Sequence, residues 1–153
     1  IIDQTQNVTA GRVGLRNYSF VEDGQRIDCF QVAGAYIQPK SHRKGIMSRT
    51  YLFLLNWYEH LVCDDMQTIA GAQIWAGPMV RAGEVRIYNE KGESFEDVLG
   101  EKGIGRHTGF LPWNKGRMFD TSPWDPNKLQ TTVQKFIVLI ISRDSCQRIG
   151  FMT

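Results

Sequence analysis

The sequence predicts a mixed domain of the α/β or α+β class, a β-sheet with helices packed on it. Three observations predict it. Two segments rich in Val, Ile, Phe and Tyr flank an Asp-Gly dipeptide, one long stripe of helical period follows them, and short β-branched runs recur after it, ending in QKFIVLIIS. With 153 residues, 42% hydrophobic and 22% charged, the chain can bury the core of one domain, which excludes a disordered or collagen-like protein.

GRVGLRNYSFVED and QRIDCFQVAGAYI are predicted as two antiparallel strands, about 12–21 and 26–37. Asp23-Gly24 between them suits the positive backbone angles of a tight hairpin. Gly34, inside the second strand, marks a bulge or a close approach, and Pro39 ends the strand. Met47, Tyr51, Leu54, Leu55, Tyr58 and Val62 then keep helical spacing, which predicts a helix from Ile46 to His60. Leu52, Phe53 and Trp57 give it a second apolar face, expected to be covered as well. LVC at 61–63 reads as a short buried strand, Thr68 to Ala76 as a helix ended by Gly77-Pro78, and EVRIYN as a strand. Residues 90–131, with their many Gly and Pro, read as a long loop holding at most one helical turn at SFEDVL. QKFIVLIIS reads as a buried strand.

Eighteen basic against sixteen acidic residues give a net charge of +2, which disfavours a protein whose main task is to bind a nucleic acid. The longest apolar run, Phe136 to Ile141, is far short of the roughly 20 residues of a membrane-spanning helix. Cys29, Cys63 and Cys146 contain no C-x-x-C pair, so they read as small buried residues in a reducing, cytoplasmic setting. Nothing in IIDQTQNVTAG directs export. His42, His60 and His107 are too irregularly spaced for a metal set.

The passage IQPKSHRKGIMS, 37–48, lies between a strand and the strongest helix. A loop there aims backbone N–H groups and the positive end of the helix dipole at one spot, a natural phosphate site. Lys40, Arg43, Lys44 and Arg49 add four positive charges with no carboxylate between them.

This passage resembles the acyl-CoA loop of the GNAT family of N-acetyltransferases, V-x-P-x-x-R/Q-x-x-G-x-G/A. Ile37, Pro39 and Gly45 fall on the valine, proline and first glycine; His42 and Met47 depart from the pattern. The likeness continues through the following strand, helix and strand, and D-x-x-Q-T-x-x-G-x-x-x-W, from Asp64 to Trp75, is similar to members carried by bacteriophages. It covers about residues 11–90, with 132–142 as the last strand and 90–131 as an insertion in a single domain, 1–153. Glu101 to Arg106 fits the short form of the motif too, but lacks a flanking strand and helix and reads as a glycine turn.

The resemblance implies a GNAT-like, mixed, mostly antiparallel sheet. It further implies acetyl transfer from acetyl-CoA to an amine of a small molecule or protein by direct attack, in the cytoplasm, or a host's cytoplasm for a phage protein. Ile37, His42, Arg43, Lys44, Gly45, Ile46, Met47 and Ser48 would hold the cofactor. The family often uses a Glu on the fourth strand as base and a Tyr on the fourth helix as acid; Gln31 and Trp75 stand there and can do neither. Asp64, ending the short strand beside the gap where the fourth and fifth strands separate, and Tyr36 are the substitutes singled out. A catalytically silent binding domain of this fold is the competing reading, and a monomer and a homo-oligomer both stay open. Trp113 and Trp124 flank a segment that could fold over a substrate.

Overall fold

A computed structural model describes residues 1–42, 44–113, 130–132 and 134–146. Its centre is a six-stranded mixed sheet. β3 (Gly11–Glu22) and β4 (Gln25–Ile37) form the long hairpin expected from Asp23-Gly24, whose φ angles of 52° and 75° close the turn. A short hairpin, β1 (Ile2–Asp3) with β2 (Val8–Thr9), precedes it. β5 (His60–Val62), β7 (Val85–Asn89), β8 (Ser94–Val98) and β10 (Ile137–Ser142) complete the order β3-β4-β5-β10-β7-β8. Only β4 and β5 run parallel; every other pair in this sheet is antiparallel. A separate two-stranded sheet joins β6 (Met66–Thr68) to β9 (Gln130–Thr132).

One face of the sheet carries the helices. α1 (Ile46–Leu54) follows β4 and sends Met47 and Tyr51 into the core, with Leu55 just beyond its end. α2 (Ile69–Ile74) is capped by the Thr68 hydroxyl, which accepts from Gly71 N–H at 3.0 Å. Chain order then runs through a π-helical turn, Trp75–Met79, into α3 (Val80–Ala82). The opposite face is covered by the tip of the β3–β4 hairpin. Phe20 is fully buried and meets His60, Tyr88 and Phe95 edge-on at centroid distances of 5.1, 5.9 and 6.1 Å, and Val21 N–H donates to the Tyr88 hydroxyl at 3.0 Å.

Four sequence expectations need correction. α1 stops at Leu54 rather than His60, because after Leu55 the chain turns, with Trp57 and Tyr58 N–H both donating to the Leu54 carbonyl. The second apolar face is not covered among the described residues: Phe53 and Trp57 stay 49% and 70% exposed. Gly77-Pro78 does not end the second helix; the widened π turn absorbs the donor that Pro78 lacks, and helix continues to Ala82. Ser94–Val98 of SFEDVL is strand, not helix, since β8 pairs with β7 across the single short turn 90–93.

The bulge expected at Gly34 is present: between Val13↔Ala35 and Leu15↔Val32, β4 carries one residue more than β3, and Gly34 has φ 113°. Residues 100–105 form a turn closed by a Leu99↔Gly105 bridge, as the glycine-turn reading expected. No helix among the described residues is long and apolar enough to cross a membrane.

Candidate functional site: a fork between two parallel strands

The β4–β5 pair is short. Its register holds only Phe30↔Leu61 and Gln31↔Val62, after which β4 runs on to Ile37 while β5 ends. The two parallel strands therefore diverge, and the fork opens toward the loop that leads into α1. Beyond Val32, residues 33–36 of β4 are all exposed.

Gln31 stands at the apex, 3% exposed, and ties the fork together. Its Oε1 accepts from Arg16 Nε at 2.8 Å, while Nε2 donates to the Cys63 carbonyl at 2.9 Å and to Asp65 Oδ1 at 3.0 Å. Arg16 Nη2 closes the ring on Asp65 Oδ2 at 2.9 Å. This network fixes the amide orientation, because a flipped side chain would oppose two acceptors at Cys63. Glu90 lies near Asp65 and Arg16, and its carboxyl is pushed up from the ordinary range, chiefly by burial and then by Asp65; Tyr18, which hydrogen-bonds it, is pushed up by burial and by Glu90.

Asp64 follows β5 directly. It is half-buried, its Oδ1 takes Met66 N–H at 3.5 Å, and its carbonyl accepts from Gln67 Nε2 at 3.3 Å. Gln67 in turn accepts from Trp113 Nε1 at 3.2 Å, so a buried Gln–Trp pair steadies the backbone at Asp64. Tyr36 is 51% exposed and lines a shallow pocket of about 260 Å³ with Arg12 and Gln38. It lies five positions beyond Gln31, roughly 16 Å of strand, near the end of β4 at the mouth of the fork. No hydrogen bond or ion pair joins Asp64 to Tyr36 among the described residues.

At the mouth, Pro39–Ser41 makes one 3-10 turn, and His42 Nε2 binds back to the Ile37 carbonyl at 2.8 Å. Gly45 starts α1 in the left-handed region, φ 67°, with no side-chain cap, so the first-turn N–H groups of Ile46, Met47 and Ser48 face outward from the helix end. The Ser48 hydroxyl turns back to the Gly45 carbonyl at 3.1 Å. Met47 is 7% exposed and belongs to the core, so its bulk does not stand over those amides. Arg43 and Trp124 lie outside the described residues.

Trp75 is 2% exposed and packs against Tyr51 at 5.9 Å between ring centroids. Cys63 is fully buried with its thiol pushed up to about 12 by burial, and Leu139 N–H donates to its sulfur at 3.2 Å. Cys29 is likewise pushed up to about 12, and all three cysteines are free. Among the described residues no cluster of His, Cys, Asp and Glu could hold a metal ion.

The residues define a class of site: a forked parallel strand pair whose mouth meets an uncapped, glycine-initiated helix, in a mixed α/β domain with a mostly antiparallel sheet. No family model, curated protein or solved structure matches the chain. The sequence passage 37–48 was legible as a loop–helix junction, but the role of Gln31 was not. Its one signal is a polar side chain set between Phe30 and Val32 in a strand.

Proposed function

We propose that the chain is an acyl-CoA-dependent N-acetyltransferase of the GNAT type. The observation that carries this reading is the fork: β4 and β5 pair over two residues and then part, and β4 runs on into the loop that ends at the start of α1, where Gly45 gives the helix no side-chain cap. A linear thioester could lie in the fork, adding its amide groups to the open edge of β4, with its pyrophosphate at Gly45, Ile46, Met47 and Ser48 and the positive charge of Lys44 close by. Ile37 and His42 would shape the turn that receives it. The two departures from the family pattern do not oppose this: Met47 is withdrawn into the core, and His42 is spent on the Ile37 carbonyl.

In the reaction the neutral amine nitrogen attacks the thioester carbonyl carbon, the C–S bond breaks, and the amine proton leaves to a base while the thiolate departs. Asp64, beside the apex, is the candidate to hold the incoming amine and take its proton. Tyr36, at the mouth, is better placed to line the cofactor than to protonate the sulfur. A second reading has its own observation. Gln31 and Trp75, where the family keeps its base and acid, are locked into a polar tie and into the core, as suits a silent domain that binds without turnover. Thiol release from acetyl-CoA on adding a panel of amines separates the two: release dependent on amine supports transfer, whereas a stable fold that releases no thiol, or is indifferent to acetyl-CoA, supports the silent domain.

A further inference from the structure

A second concavity runs along α1 from its first turn and shares Lys44 and Ile46 with the proposed phosphate site. α1 carries two apolar stripes. Met47, Tyr51 and Leu55 enter the core, but Ile46, Thr50, Phe53 and Leu54 face β3 across an open trough of about 790 Å³. Val13 and Leu15 of β3 and Ile2 of β1 also line it. Ile2 is 67% exposed and Phe53 49%, so this apolar surface is left wet.

The charge at the α1 end is positive. Lys44 and Arg49 both line the trough, and no carboxylate pairs with either among the described residues. Arg49 Nε donates to the Gly45 carbonyl at 3.3 Å, which holds the guanidinium against the first helical turn. Asp3 lines the trough from β1, where Thr5 and Gln6 N–H donate to its Oδ1 at 2.9 and 3.3 Å; the two cations outnumber this one carboxylate.

We propose that this trough binds a free, linear alkyl carboxylate, its tail along Val13, Leu15 and Phe53 and its head at Lys44 and Arg49. Size selects a small molecule. The volume falls within the roughly 300–1,000 Å³ of small-ligand pockets. Charge selects the head, since an alcohol would leave both cations unanswered and an amine would oppose them. The inference does not rest on the transferase reading.

The test titrates the full chain with straight-chain carboxylates from hexanoate to dodecanoate, all below their micellar concentrations, and with dodecanol and dodecylammonium. Affinity should rise about three- to fourfold per added methylene, from about 0.8 kcal/mol each, and then level off as the trough fills. Dodecanoate should bind at least about tenfold tighter than dodecanol, a gap expected of a charged head meeting two cations, and the double variant Lys44→Glu, Arg49→Glu should abolish the gap. Phe53→Asp, at an exposed position that leaves the core intact, should lose dodecanoate yet still take up whatever acetyl-CoA the native chain binds. No dodecanoate binding, no dependence on chain length, equal binding of the three head groups, uptake only by anionic vesicles, or a dimer on gel filtration in place of ligand binding would each overturn the proposal.

Discussion

Replacing Gln31 by glutamate puts a carboxylate where the proposed transferase reading would look for a base, and the fork's geometry argues that the protein resists it. The Nε2 donor is lost, and an acceptor then faces the Cys63 carbonyl and Asp65 Oδ1, now at 2.9 and 3.0 Å from that nitrogen. One buried neutral hydrogen bond is worth about 1 kcal/mol and one to a charged partner about 1.5–3. Asp65 is 60% exposed, so the second value is discounted for solvent. Orphaning the buried carbonyl adds a desolvation penalty, the bond from half-exposed Arg16 Nε at 2.8 Å gains from the new charge and offsets part of it, and the total is a destabilisation of about 1–3 kcal/mol at pH 8. A protonated glutamic acid can still donate, so folding should raise its pKa. A group raised on folding contributes most below its unfolded value, about 4.3, and that contribution is lost as pH rises through the folded value. The deficit of Gln31→Glu relative to the native chain should therefore be small near pH 4.5 and grow toward pH 8. Urea denaturation at four pH values measures it. A variant as stable as the native chain at pH 8, or a deficit independent of pH, would refute the reasoning.

Three further outcomes follow from the structure. Gly45→Ala should destabilise by about 1–2 kcal/mol in urea, from the left-handed backbone alone, because an added Cβ meets nothing closer than 3.8 Å; an unchanged midpoint would contradict the φ of 67°. His60 is held below its ordinary 6.5, first by burial and then by Arg86, in a chain where its Nδ1 meets Ser142 Oγ at 2.7 Å and Arg86 Nη2 reaches the same oxygen at 3.2 Å. With its folded pKa depressed, His60 stabilises fully above pH 6.5, and that contribution is lost as pH falls through the lower folded value; the melting temperature of His60→Phe should fall less than the native one over that range. Asp97 accepts from Thr108 N and Oγ1 at 2.7 and 2.8 Å and from His107 N at 3.0 Å, and, against the upward push of its own burial, these bonds with that from Val98 N–H hold its carboxyl down at about 2. The turn 100–109 should thus keep its protection from above pH 4 down to acid near 2, and Asp97→Ala should speed amide exchange at His107 and Thr108 by about tenfold or more at neutral pH.

What could be read in the sequence was local. The β3–β4 hairpin announces itself through Asp23-Gly24, the bulge through Gly34, and the start of α1 through Gly45 after a strand ended by Pro39. What could not be read depends on partners far along the chain. β8 alternates no more clearly as strand than as helix until β7 supplies its hydrogen bonds, and β6 pairs with β9 across more than sixty residues. Neither period nor composition reveals that Phe20 folds back over the sheet to meet His60 and Tyr88. The loop end of the candidate site was legible because glycine and charge mark it, whereas the apex was not. Gln31 looks like an absent base in sequence, and only the fork shows it as a buried tie with three partners.

The central claim is that a thioester cofactor lies in the fork with its phosphates on the start of α1. Calorimetric titration of acetyl-CoA into the native chain, Gly45→Ala and Gly45→Glu tests it most directly, with circular dichroism to establish that each is folded. The account expects binding by the native chain, binding retained by the uncharged Gly45→Ala, and binding lost by Gly45→Glu, whose carboxylate would stand where phosphate sits. A folded native chain that takes up no acetyl-CoA, or a Gly45→Glu variant that binds it as well as the native chain, would contradict the claim.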